Sequence, residues 1–488
     1  MEELIQICSF LQSSVDDNYK RCEYFLSNFN KDLKYLKELF SLFNFSLICL
    51  FNFVGYFFYK KNYKHISKTN FFLIINFFCY FFLIINNYHI NLPWSDDLHV
   101  LENVLINENK YQGLFKDLNG HLIFFYNILL YLNNVFFDLK YFIFSYFSFF
   151  LYLFVFFLFK QLYEETVDSS QRNIFFYLIL LNGKFFVIFF QTVNTVWLIS
   201  LLLIILLILD KNFKNENYFQ SKKNFFLTIS GILNFGLGLV IPLYVMFLSL
   251  IKKKINLNFL ISLILLGIFF YYTKNLQLED ENQNLIFVIS NINKILITFF
   301  VLLGNIFVPW ISKSYYFSGL IGFFQFIYVL IYLINFKKKD FHNFCRINSL
   351  LLISLVGCAL IAISRADPYN AISPRYFIIS LMFQCGFLFI IQQVKYDRIN
   401  FYIKKILYLL IVISLIVSHI TPFLGIHFVL QKYAKEKIVV DCFEKNRASE
   451  CIILAKNILT IQNKNENIKD FKIKLNYLKQ KQLINWTD

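Results

Sequence analysis

At 488 residues, 58% hydrophobic, 20% aromatic and only 16% charged, with a mean hydropathy of +0.54, the chain is too oily for a soluble domain, where roughly a quarter of residues are charged. Its net charge of +16 falls in short lysine loops (Lys60-Lys61, Lys222-Lys223, Lys252-Lys253-Lys254, Lys337-Lys338-Lys339) rather than on one face. That excludes nucleic acid as the partner and fits cytoplasmic loops that orient a membrane protein. Many apolar runs are long enough to cross about 30 Å of hydrocarbon as helices, and the ten-residue alternation of a barrel is missing. The expectation is all-α: a polytopic transmembrane helical protein of about 11–13 spans, with the lipid bilayer as its first partner.

Residues 1–38 form a polar, mildly acidic N-terminal segment, and 39–426 form the membrane domain. The first span, Leu39–Tyr59, meets Lys60, Lys61, Lys64 and Lys68, which puts those lysines in the cytoplasm and the N-terminus outside. Phe71–Ile90 then delivers the polar loop 91–121 to the outer face. Leu122–Phe137 is short for a crossing and reads as a helix lying on the outer surface. Tyr141–Phe159 is a span. Asn173–Phe190 and Val196–Leu209 flank the polar residues Gln191, Asn194 and Trp197, which then face outward beside the first loop.

Asn224–Ile251 has Gly231, Gly236 and Gly238 in its middle and lysines at both ends, so it reads as a tight hairpin of two short helices. Ile255–Tyr272, Leu285–Val308 and Tyr315–Phe336 lie between lysine clusters that both favour the cytoplasm. One of the three is therefore re-entrant or interfacial. Ile347–Ser364 leads out to the stretch Arg365–Arg375, Tyr376–Val394 returns, and Ile406–Ile426 goes out again. Residues 427–488 then form a polar helical tail on the outer face. That location suits a Cys442–Cys451 disulfide, whereas Cys49, Cys79, Cys358 and Cys385 lie in apolar runs as small core residues.

Several residues carry candidate chemistry. Asp96 and Asp97 follow a Pro-Trp turn at a membrane boundary. A carboxylate there suits a general base, the pair suits a divalent cation, and two solvated loop acids fit equally well. Arg365 and Arg375 abut span ends on the outer face, against the chain's own charge bias. Arginine grips phosphate bidentately, so the pair, with Tyr376 adjacent, points to a pyrophosphate or lipid phosphate more than to headgroup anchoring. Gln191, Asn194 and Trp197 suit a sugar, by amide hydrogen bonds and stacking, or they glue helices together. His121 suits orienting a carboxylate or phosphate, or capping a helix. Lys184, inside an apolar run, is expected to snorkel or to pair with a buried acid.

The order of these features resembles the C-type (GT-C) glycosyltransferases, and within them a broad group of uncharacterised bacterial membrane proteins. The likeness rests on Trp94-Ser-Asp-Asp97 with Asn119-Gly-His121, on Gln191-Thr-Val-Asn-Thr-Val-Trp197, and on Ser364-Arg365 followed by Ala371-Ile-Ser-Pro-Arg-Tyr376. It runs from about residue 71 to 455 and takes in Cys442 and Cys451. The group often carries an acid near Asn194, where this chain has an amide, and Leu39–Tyr59 with the residues before it is extra.

The resemblance implies a glycosyltransferase that moves a sugar from a polyprenyl-phosphate-linked donor to a glycolipid, polysaccharide or protein acceptor of the cell envelope. It implies a bacterial inner (plasma) membrane with the site facing the periplasm. Asp96 or Asp97, the latter nearer the group's pattern, would be the base. Arg365 and Arg375 would hold the donor phosphate. The alternatives are a transporter or flippase of lipid-linked sugars and a non-catalytic scaffold of the same architecture.

Overall fold

In the computed structural model the described residues are 41–62, 68–89, 91–94, 96–106, 110–118, 121–168, 172–210, 222–234, 236–251, 257–276, 289–309, 314–335, 341–393, 398–419, 426–445, 448–459 and 468–481. The polar segment 1–38 and the start of the first expected span lie outside them. Six described helices are long and apolar enough to cross a membrane, and eight shorter apolar helices accompany them. The chain is a multi-pass helical membrane protein. Large apolar side chains such as Phe53, Phe154, Phe324 and Tyr402 point outward, as they do where lipid rather than water is the solvent.

Helix α1 (Leu42–Asn62) lies against α2 (Lys68–Tyr88) through two amide clasps. Asn52 and Asn76 exchange hydrogen bonds at 3.0 and 3.1 Å, and Asn44 and Asn87 do so at 3.4 Å. In hydrocarbon such pairs join helices that have no hydrophobic reason to associate. Beyond α2 come the short α3 (Asp96–Leu101), a π-helical turn Glu102–Ile106 and α4 (Lys110–Leu114). A minimal antiparallel pair follows, β1 (Asp117–Leu118) with β2 (His121–Leu122), in otherwise all-helical surroundings.

The expected surface helix is α5 (Phe124–Phe137), with Leu132, Val135, Phe136 and Phe137 exposed and Tyr126, Asn127 and Leu130 buried. It stops where Asp138 and Leu139 take positive φ (51° and 62°), and the Asn133 amide bonds both the N–H and the carbonyl of Lys140 across that corner.

The span read as Tyr141–Phe159 is α6 (Tyr141–Thr166). The run read as Asn173–Phe190 is broken into α7 (Ile174–Leu180) and α8 (Phe185–Phe190), with Asn182-Gly183-Lys184 between them. A Cβ on Gly183 would stand 2.3 Å from the Ser418 carbonyl, so only glycine lets the chain pass there. A 3₁₀ turn (Thr192–Asn194) leads into α9 (Thr195–Ile208).

Residues 222–251 form two short helices, α10 (Lys222–Asn234) and α11 (Val240–Ile251), joined by the turn Gly236–Leu239. The backbones of Gly231 and Gly238 touch there, where a Cβ on Gly238 would meet the Gly231 carbonyl at 1.9 Å. Then come α12 (Leu257–Leu276), α13 (Ile292–Gly304) with a 3₁₀ turn Asn305–Phe307, and α14 (Ser314–Asn335). Helices α13 and α14 are antiparallel neighbours: Gly304 abuts Ser318 and Gly322 abuts Phe300.

α15 (Phe341–Arg365), the one-turn α16 (Pro368–Ala371), a 3₁₀ turn Pro374–Tyr376, α17 (Phe377–Gln393) and α18 (Arg398–His419) complete the bundle. The tail folds into α19 (Ile426–Lys445), α20 (Ala448–Leu459) and α21 (Ile468–Gln480), and a disulfide Cys442–Cys451 joins the first two.

Candidate functional site

The loop after α2 is shaped by local chemistry. Pro93 cannot continue a helix, and Leu92 and Trp94 are buried, so 91–94 runs in without regular structure and restarts as a helix at Asp96. Trp94 and Asp97 cap this restart reciprocally. The Asp97 N–H donates to the Trp94 carbonyl at 3.1 Å, and the Trp94 N–H reaches Asp97 Oδ2 at 3.4 Å. Two acids in the first turn also suit the positive end of the helix.

The two aspartates then part company. Asp97 is 1% exposed. Its Oδ1 accepts from the Tyr126 hydroxyl at 3.0 Å, the Thr192 hydroxyl at 2.8 Å and the Val193 N–H at 2.8 Å. One carboxylate thus ties α3 to α5 and to the 192–194 turn. Burial pushes its carboxyl up, and the Thr192, Val193 and Tyr126 hydrogen bonds and the Lys432 charge oppose that. Asp96 is only part-buried. Burial raises its carboxyl above the usual 3.8, while Arg375 and His99 oppose the shift as nearby positive charges. Asp97, which the resemblance favoured as base, is occupied as an anchor. Asp96 is the carboxylate that feels the charge of an arginine.

Arg375 sits in the Pro374–Tyr376 turn. Its guanidinium lies 5.2 Å from the Tyr376 ring centroid, and its Nε is buried with no hydrogen-bond partner among the described residues. Tyr376 in turn meets Trp197 edge to face at 5.7 Å. Asn194 donates to Gln191 Oε1 at 3.0 Å; Asn194 is buried and Gln191 half-buried. Asp96, Arg375, Tyr376 and Trp197 therefore come together from three distant stretches, beside the Gln191–Asn194 pair.

Arg365 does not join them. It is exposed at the end of α15, before Ala366 turns the chain with φ 45°, and it is not among the charges acting on Asp96. His121 lies in β2, with its side chain outside the described set. The aspartates diverge, so they do not form a two-carboxylate cradle, and no group of three or more His, Cys, Asp or Glu comes together among the described residues.

Two features were not legible in the sequence. The first is Lys184, which neither snorkels nor pairs with an acid: it is 1% exposed and its ammonium donates to the backbone and side-chain oxygens of Asn305. The second is the tail, which docks on the loop. Lys432 lies 5.6 Å over the Trp94 ring and pairs with Glu436 out of water. Lys474 pairs with Glu102 at 2.7 Å, and the Tyr477 hydroxyl donates to Asn134 at 3.2 Å. The helical tail itself was expected, but its docking was not, since i,i+4 pairs such as Lys432 and Glu436 are usually solvated.

Glu436 makes this docking pH-dependent. Burial pushes its carboxyl up to about 7 from the usual 4.5, although Lys432 opposes the shift. The folded state therefore holds this proton more tightly than the unfolded one. The resulting stability is full below 4.5 and is lost as pH rises through about 7, a swing on the order of 3 kcal/mol. Glu436→Gln should flatten that difference when thermal unfolding in detergent is compared at pH 5 and pH 8. An unchanged difference between the two pH values would show that Glu436 is not the titrating group.

A scan against protein-family models, a search of curated proteins and a search of solved structures each return no match for this chain.

Proposed function

We propose that the chain is a membrane glycosyltransferase of the GT-C kind, taking a polyprenyl-phosphate-linked sugar and transferring it to a cell-envelope acceptor on the outer side of a bacterial inner membrane. The observation that carries this reading is a guanidinium, Arg375, that keeps an unused buried N–H and whose charge acts on a part-buried carboxylate, Asp96. In this reading Asp96 takes the proton from the acceptor hydroxyl as it attacks the anomeric carbon. Arg375 holds the departing polyprenyl phosphate and offsets the charge that develops on it, a task that suits a fixed, bidentate cation. Trp197 and Tyr376 supply an aromatic wall, and Gln191 and Asn194 supply amide groups for sugar hydroxyls. Asp97 holds the helix that carries the base.

The test is transfer by the purified chain in lipid nanodiscs from a panel of radiolabelled polyprenyl-phosphate hexoses and pentoses to a lipid extract of envelope acceptors. Arg375→Leu should lose about 10²–10³-fold of that transfer. If no donor in the panel is consumed by the wild-type chain, the reading is wrong. One observation favours a second reading: the broken helix α7–α8 holds a buried cation, a feature also found in transporters. That reading expects labelled lipid to change leaflet with no transfer product formed.

A further inference from the structure

The break between α7 and α8 frees backbone groups inside the bundle, and two of the N–H groups find side chains. The Gly183 N–H donates to Ser418 Oγ at 3.1 Å, and Asn182 Oδ1 takes the Lys184 N–H at 3.0 Å. The Asn182 amide donates to Ser414 Oγ at 2.9 Å, and Ser414 bonds the Ile306 carbonyl. The result aims the Lys184 side chain at the 3₁₀ turn that follows α13. There its ammonium meets both oxygens of one residue, Asn305.

Asn305 has a second set of partners. Its side-chain N–H groups donate to the Ala371 carbonyl at 3.0 Å and the Ser373 carbonyl at 3.1 Å. The amide is thus fixed end to end, with its oxygen on a cation and its nitrogen on the backbone directly before Pro374-Arg375-Tyr376. Donation from Lys184 Nζ to the amide oxygen polarises the group and strengthens its N–H donors, and low-dielectric surroundings amplify this. If the ammonium served packing alone, an apolar side chain of similar length would do as well or better, because a buried charge is costly to desolvate.

We propose that Lys184 is a positioning residue for Arg375, acting through Asn305 and the 371–373 backbone to hold the guanidinium opposite Asp96. This rests on reading Arg375 as the phosphate-holding group. The seam has a directional logic: charge at Lys184, relay at Asn305, and placement of the arginine turn.

Asn305→Asp separates this role from charge burial. The aspartate still offers Lys184 two oxygens, now as a true ion pair, but it turns an acceptor towards two carbonyls. A role in charge burial alone predicts a less stable Asn305→Asp, because two carbonyls lose their donor, with kcat unchanged in it and in Lys184→Met. Positioning predicts that Asn305→Asp and Lys184→Met each lower sugar transfer about 10²-fold in kcat, and that the double variant is no worse than either.

A second arm does not depend on activity. Cysteines at Asp96 and Arg375, joined by a short bifunctional thiol reagent in nanodiscs, should cross-link efficiently. Adding Lys184→Met or Asn305→Asp should lower that yield several-fold, while size-exclusion profiles report that each variant folds. Unchanged cross-linking in folded Asn305→Asp overturns the proposal. Reduced cross-linking, together with a wild-type chain that consumes no lipid-linked sugar, supports the positioning role and defeats the glycosyltransferase reading instead.

Discussion

Asp96→Asn is expected to insert and fold like the wild-type chain yet lose about 10²–10⁴-fold of sugar transfer, the range a positioned general base contributes. The substitution is nearly isosteric, and among the described residues no anchor of the fold depends on Asp96, whose surroundings are Arg375, His99 and partial burial. Its carboxyl is raised above the ordinary value by burial, which brings its basicity nearer to neutrality. Because Arg375 pulls the other way, Arg375→Gln should shift the acidic limb of the pH–rate profile upward as well as weaken donor binding. Retention of more than half the wild-type rate by Asp96→Asn, measured with a labelled donor in membranes, would remove Asp96 from the reaction.

Asp97→Ala should behave in the opposite way, with folding rather than turnover failing first. It would strand the hydroxyls of Tyr126 and Thr192 and the N–H of Val193 in a site where Asp97 is 1% exposed. Breaking a buried, charge-assisted network of this kind costs about 3–5 kcal/mol. Asp97→Asn keeps one acceptor oxygen and should lose less. The measurement is thermal unfolding followed by fluorescence size exclusion. An alanine variant that melts with wild type would mean that the carboxylate does not tie α3 to α5 and the 192–194 turn.

The contrast between these neighbours explains how much of the site could be read in advance. A polar loop carrying two acids stands out in an oily chain by hydropathy alone, and lysines at both ends gave the glycine-centred pair of helices at 222–251. Which acid is the buried anchor did not follow, because consecutive helical residues point about 100° apart and the deciding partners, Thr192 and Arg375, lie far away in sequence. The break at Asn182–Lys184 was similarly hidden. Asn173–Phe190 reads as one apolar span, and what stabilises the interruption is supplied by Asn305, Ser414 and Ser418. Arg365 and Arg375 look alike as span-end arginines, yet only the second is turned inward, by the 371–376 backbone that Asn305 holds.

The tail gives the molecule an order of assembly. The loop carrying Asp96 is synthesised and delivered early, but Trp94 and Glu102 receive their partners, Lys432 and Lys474, only after every membrane helix has been made. A nascent chain that has inserted its whole bundle still presents an uncovered loop. The Cys442–Cys451 bond, formed on whichever side holds oxidising chemistry, then fixes α20 to α19 over it. Completion of the site is thereby linked to loop and tail reaching the same side of the membrane, so a chain trapped with its C-terminal end on the opposite side would be fully threaded and still unfinished.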